Sequence, residues 1–273
     1  MKFNNEMHLP AYPLFVKDPY FSIWSMTDKL NDSNTLFWHG EEKRIYGFLY
    51  VDDKKYCFMG LDSNSIKLTQ TSLEVTALRT MYRFEEADFT FDLEFLSPLT
   101  LLDYNLLSCP VCYLSYNFNS KDTHNVRVEI IVNQEICYNK CYENVERECR
   151  ANRFNLGDFE CVSVALERQL PMSHSNDEDA ADWGTYYLSG MKCSVVKEDG
   201  IINLVSNNIY NDVTNANGFI MLAFDDIVSI FYYGEYLKGY YFAQGKSIFD
   251  ALVESYTNQT LVFFQYKKLA IFL

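Results

Sequence analysis

A chain of 273 residues, 48% of them apolar, can bury a substantial core and lies far from the composition of a disordered segment. Its formal net charge of −14 would repel a polyanion, and no Lys- or Arg-rich stripe interrupts that field, so a general nucleic-acid binder is excluded. With 21 Phe and 21 Tyr against 11 Gly, the mixture favours strands over flexible loops.

In chain order, the first ten residues, Met1 to Pro10, lack a basic segment followed by a continuous apolar core. No secretory signal is read there, and the chain as written is expected in the cytoplasm. Residues 45–59 hold two β-like runs around Asp52-Asp53-Lys54-Lys55, a polar tetrapeptide suited to a hairpin loop. Strands are also expected over 66–70 and 73–84. Phe89, Phe91, Leu93 and Phe95 alternate with Thr90, Asp92 and Glu94, which puts the apolar side chains on one face of a strand. Val126, Val128, Ile130 and Val132 repeat the pattern, and 111–118, 161–166, 185–196, 219–224 and 227–233 complete the strand candidates. Turn clusters at short intervals between them predict an all-β, mainly antiparallel fold, a large β-sandwich, and not alternating βα units. Asn215-Ala216-Asn217-Gly218 resembles the middle of a calcium loop, but Val213 stands where the first ligand belongs, so a turn is expected.

One helix is expected at the end, where Ser247 caps with Asp250 three residues on and Ile248, Leu252 and Tyr256 share a face. Residues 261–273 then stay apolar apart from Gln265, Lys267 and Lys268. They fall short of the roughly 18 apolar residues a membrane span needs, so self-association, folding back on the sandwich or a partner domain is expected to cover them.

Cys109 and Cys112, in the stretch LSCPVCYL, are spaced like a metal knuckle or redox dithiol. Zinc needs four converging ligands, and Cys57, Cys137, Cys141, Cys149, Cys161 and Cys193 offer no second pair of that spacing. In a strand, positions three apart point to opposite faces, which predicts structural thiols. Cys137 and Cys141 would share a helix face, yet His124 is the only imidazole nearby. No metal or cofactor site is therefore expected. His8, His39, His124 and His174 are scattered, and no nucleophile elbow, HExxH, P-loop or GxGxxG occurs. Two acidic segments remain: the run 174–184, which ends in Asp182-Trp183-Gly184, and Asp225-Asp226, which opens the aromatic stretch through Tyr232 and Tyr233. Their ordinary reading is a solvated loop and a turn.

Longer stretches say more. LPAYPLFVKDPYFSIWSMTDKLNDSNTLFWHG (9–40), VDDKKYCFMG (51–60), SPLTLLDYNLLSCPVCYLSY (97–116), DWGTYYLSG (182–190) and AFDDIVSIFYYGEYLKGYY (223–241) resemble, in order, the N-terminal part of the glutaminase A family of fungi and bacteria. The resemblance implies a β-sandwich, a connecting helix and then a six-hairpin helical toroid, in proteins that hydrolyse L-glutamine to L-glutamate and ammonia. It divides this chain into a family N-terminal segment (1–70), the sandwich (71–246) and a helix with an apolar tail (247–273). The tail departs from the family pattern and reads as a truncated linker to the helical domain. The resemblance carries no catalytic residue over to these positions, and the catalytic residues stay unassigned. Asp182, Trp183, Asp225, Asp226, Tyr232 and Tyr233 are expected at an interface with a helical domain, which would be supplied by a separate chain. Family members are often exported. A stand-alone carbohydrate- or protein-binding module, and a truncated product without present function, stay open as alternatives.

Overall fold

The computed structural model describes residues 8–140, 147–173 and 181–269. Cys141, the acidic run over 174–180 and the tail beyond 269 lie outside the described residues.

Three N-terminal strands, β1 (Tyr12–Asp18), β2 (Phe21–Ser25) and β3 (Leu36–Phe37), pair antiparallel in a small sheet. The β1–β2 turn is set by Asp18, whose Oδ1 accepts from the amides of Tyr20 at 2.8 Å and Phe21 at 2.9 Å, with Pro19 fixing the backbone between them. The expected hairpin follows as β4 (Ile45–Val51) and β5 (Lys54–Met59), turning through Asp52 at φ 52°. A short β6 (Ile66–Lys67) adds parallel to β5. β7 (Gln70–Val75), β8 (Arg79–Glu85) and β9 (Phe89–Leu96) form a meander, and α1 (Tyr104–Ser108) precedes the long strand β10 (Val111–Asn133).

After a 3₁₀ turn at Gln134–Cys137 come β11 (Cys149–Asn155), β12 (Glu160–Leu166), β13 (Thr185–Gly190), β14 (Lys192–Glu198) and the 25-residue β15 (Ile201–Asp225). The exposed hairpin β16 (Ile230–Tyr232) and β17 (Glu235–Leu237) leads to α2 (Tyr240–Ala243) and α3 (Ile248–Leu269).

β10 and β15 run antiparallel along nearly their whole length, with register shifts between Asn119 and Val126. Either side of that irregularity the ribbon takes different neighbours. The first half of β10 pairs with β9 and the second with β4, while the first half of β15 pairs with β14 and the second with β13. One bent ribbon thus belongs to both layers of an antiparallel sandwich. Phe89, Phe91, Leu93 and Phe95 pack inward against Val126, Val128, Ile130 and Val132 in a single buried cluster, as their alternation predicts. The N-terminal sheet adds Phe15, Phe21 and Ile23 to the same core and is tied to it by Val16 N–H donating to Ser97 Oγ at 3.0 Å.

A second cluster lies on the outer face of one layer. There α3 lays Ile248, Ala251, Leu252 and Val262 over Phe159, Tyr187 and Met221. Its start is the expected capping box: Ser247 N–H donates to Asp250 Oδ2 at 2.8 Å and Asp250 N–H to Ser247 Oγ at 3.2 Å.

Several expected strands have different bounds. Residues 73–84 span a hairpin, not one strand, and 185–196 break into β13 and β14 at Gly190 and Met191. The break falls where the chain crosses between layers. A Cβ at Gly190 would lie 2.0 Å from Ser206 Oγ, so only glycine lets the crossing pass this close. Residues 215–218 form no turn but lie inside β15, paired with β10 at Asn215↔Asn119 through Gly218↔Tyr116. The Asn-rich run reads as a turn by propensity, but pairing along β10 satisfies its backbone, and Asn215 Nδ2 donates to Asn117 Oδ1 at 3.2 Å.

Candidate functional site

The chemistry-bearing residues gather at one end of the sandwich. β13 and β15 pair Thr185 with Asp225, so the residues before β13 and after β15 emerge together. This brings the buried Asp182 and Trp183 beside Asp225 and the buried Asp226. Gly184 makes the approach possible: its φ is +86°, and a Cβ there would stand 2.6 Å from the Asp225 carbonyl. Its N–H donates to Gln169 Oε1 at 2.6 Å.

The β1–β2 turn closes the same end. Tyr20 packs edge-on against the buried Trp183 ring, with centroids 4.9 Å apart, and Tyr186 Oη donates to the Tyr20 carbonyl at 2.8 Å. Lys17 directs its ammonium to the carbonyls of Pro98 at 2.7 Å and Leu106 at 3.0 Å, which ties the turn to the segment carrying α1. Burial lowers the Lys17 pKa and raises that of Asp18.

Asp226 is the most perturbed carboxylate of the group. Burial pushes it up to about 6; the negative charges of Asp18 and Asp225 add to the effect, and a hydrogen bond from Ser229 opposes it. Among the described residues its Oδ1 and the Trp183 Nε1 are buried without a hydrogen-bond partner. The adjoining backbone is strained as well. Ile227, a β-branched residue, has φ 63°, while Val228 N–H donates to the Asp226 carbonyl at 2.6 Å, the hydrogen bond of a γ-turn.

From this root the β16–β17 hairpin stands out into solvent. Ile230, Phe231, Tyr232 and Tyr236 are each more than half exposed, and Tyr233 at the tip is 91% exposed. Tyr232 and Tyr233 meet edge to face at 4.5 Å, and Phe231 lies 4.8 Å from Tyr236. Tyr240 continues the surface to Tyr104 of α1, whose ring centroid is 6.1 Å away, beside the exposed Leu101 and Leu102. These side chains form an exposed apolar surface at this end of the sandwich. The structure therefore brings Asp182, Trp183, Asp225 and Asp226 together at a base and sets Tyr232 and Tyr233 apart, on the projecting hairpin. Lys17, Asp18 and Tyr20, which the sequence reading used only as family landmarks, belong to the base. Leu101, Leu102, Tyr104 and Tyr240 widen the surface and carry no local signal that separates them from core residues.

Among the described residues no group of three or more His, Cys, Asp or Glu could hold a metal ion. The cysteine pair of the LSCPVCYL stretch divides as expected. Cys112 points into the sandwich core beside Ser97 Oγ at 3.6 Å, while Cys109 faces the outer cluster beside Ser255 Oγ at 3.6 Å. Burial raises both thiols, Cys112 to about 12, which leaves them inert. Cys109 lies just before β10 as the C-cap of α1, which Asp103 starts by accepting from the amides of Asn105 and Leu106. Among the described residues no helix is long and apolar enough to cross a membrane.

Fold and site together define an all-β sandwich module with an aromatic projecting hairpin at one end. Residues 2–71 match the model of a domain of unknown function, DUF4964, and residues 78–212 that of a second, DUF5127. The chain is 28% identical over 189 residues to Glutaminase A of Aspergillus oryzae (strain ATCC 42149 / RIB 40); the match covers 65% of this chain and 26% of that protein. These two domains and this relative are consistent with an N-terminal region of the glutaminase A family. The chain spans about a quarter of the length of the relative it matches. Among solved structures, a candidate kojibiose phosphorylase from the human microbiome aligns at TM-score 0.41 and 11% identity, covering 78% of this chain and 30% of that one. A galactose mutarotase related enzyme from Lactobacillus acidophilus aligns at TM-score 0.43 and 6% identity, covering 79% of this chain and 97% of that one.

Proposed function

We propose that this chain is the non-catalytic β-sandwich module of a glutaminase-like amidohydrolase, and that its hairpin end docks the helical domain that hydrolyses L-glutamine. The observation that supports this most is the hairpin itself: Phe231, Tyr232, Tyr233 and Tyr236 are held in solvent on a strained root above a partly desolvated carboxylate group. Exposed aromatics of this kind serve as anchors for a protein surface. The aliphatic Ile230 and Leu237 on the same hairpin suit a protein partner better than a sugar, which would need flanking hydrogen-bond donors and acceptors. On this reading the N-terminal segment, residues 1–70, adds its own small sheet and also lends β4 and β5 to the sandwich, while 247–273 hold the connecting helix.

The test is ammonia release from L-glutamine by the purified chain, alone and mixed with the helical domain of a glutaminase A-family protein. No release is expected from the chain alone. Turnover by the chain alone would overturn the non-catalytic reading.

A further inference from the structure

Away from the hairpin end, Cys137 and Cys149 bring their sulfurs to 3.8 Å of each other. Cys137 ends the 3₁₀ turn after β10, and Cys149 opens β11, the strand at one edge of the large sheet. We propose that these two thiols form a reversible disulfide that staples the edge strand β11 to the end of β10.

The two positions differ as an attacking and a resolving thiol should. Cys137 is buried, whereas Cys149 is half-buried. The hydrogen bond from Cys137 lowers the Cys149 pKa, which favours its thiolate; burial raises that of Cys137. Among the other described cysteines, Cys57, Cys109, Cys112, Cys161 and Cys193 are all buried.

The turn that carries Cys137 is held rigidly. Glu135 takes a two-pronged pair from Arg44, Nε to Oε1 at 2.6 Å and Nη2 to Oε2 at 2.8 Å, and Lys140 Nζ adds a third contact at 2.7 Å. Lys43, fully buried, donates to the Glu135 carbonyl at 2.9 Å and also to Glu41 and the Tyr138 carbonyl. Its charge favours the Cys137 thiolate when that thiol ionises. With this turn fixed, closing to a disulfide requires the sulfurs to approach by roughly 1.8 Å, within reach of a side-chain rotation at the edge strand.

The oxidant is a small-molecule disulfide, RSSR. The Cys149 thiolate attacks one of its sulfurs, the S–S bond breaks and one RS⁻ leaves, taking up a proton as RSH. Cys137 then gives up its proton and attacks Cys149 Sγ, forming the Cys137–Cys149 bond and expelling the second RSH. In sum two protein thiols are oxidised and one RSSR is reduced to two RSH.

The folded chain is equilibrated with glutathione disulfide at neutral pH, free thiols are alkylated, and the digest is mapped by mass spectrometry. A Cys137–Cys149 linked peptide and loss of two alkylatable thiols are expected, with Tm raised by about 5–10 °C and restored by dithiothreitol. The Cys149→Ser variant is expected to keep its remaining thiols and to show no Tm response. Full alkylation of Cys137 and Cys149, a stable glutathione adduct on Cys149, or a link from either to Cys141 would overturn the proposal.

Discussion

Asp226 leaves β15 and enters a γ-turn with its carboxyl buried, and its proton affinity couples that single group to the stability of the chain. Its folded pKa of about 6 stands above the ordinary 3.8, so the folded state holds a proton that the unfolded chain has released. The associated stability is fully present below about pH 4 and is lost as pH rises through about 6. Asp226→Asn is therefore expected to remove this part of the decline and to raise the urea midpoint above pH 7 relative to the parent. Matched denaturation curves from pH 4 to 8 check it, and superimposable pH profiles for the two proteins would contradict it. Gly184 is the second sensitive position. Alanine there meets both a left-handed backbone and the Asp225 carbonyl, so Gly184→Ala is expected to cost about 2 kcal/mol or more in chemical denaturation. At this scale the sequence disclosed which residues were chemically notable but not their company. Asp182 and Asp226 are 44 positions apart, and only the pairing of Thr185 with Asp225 makes them neighbours.

At the scale of elements, α3 was the most legible. Its capping box and the Ile248, Leu252, Tyr256 stripe are local signals, and the structure uses both: the box starts the helix and the stripe meets the outer face of a sheet. Leu252 is fully buried there, so Leu252→Ala is expected to destabilise the chain by about 2–5 kcal/mol, whereas Ser247→Ala, which removes only a cap, is expected to cost about 1 kcal/mol; thermal melts of the two variants check the ranking. The two longest strands were the least legible. β10 reads as two separate runs because its exposed middle breaks the alternation, and the first part of β15 is masked by asparagines whose low strand propensity is overridden by partners on both sides. Residues 227–233 read in sequence as one strand, whereas the chain turns at Tyr233 and Gly234 into the β16–β17 hairpin. Because its aromatic side chains are exposed, replacing Phe231, Tyr232, Tyr233 and Tyr236 together by Ser is expected to leave Tm within about 2 °C of the parent. A large fall in Tm would mean that the hairpin serves the sandwich itself.

For the molecule as a whole, the sandwich is complete in its own terms. One ribbon of β10 and β15 joins two layers, the N-terminal sheet adds to the core they enclose, and α3 covers an outer face. What the fold leaves uncovered is concentrated at the end where the β1–β2 turn, α1 and the hairpin meet. That asymmetry is what the proposed docking role rests on. The sandwich class was legible from alternation and turn spacing alone, whereas the docking end arises from juxtapositions across the sheet that no local pattern carries. The most direct test is a calorimetric titration of the purified chain against the helical domain of a glutaminase A-family protein, run beside the four-serine hairpin variant. The parent is expected to bind and the variant to bind at least tenfold more weakly, a loss of roughly 1.4 kcal/mol or more. Equal affinity for parent and variant, or no binding by either, would contradict the account.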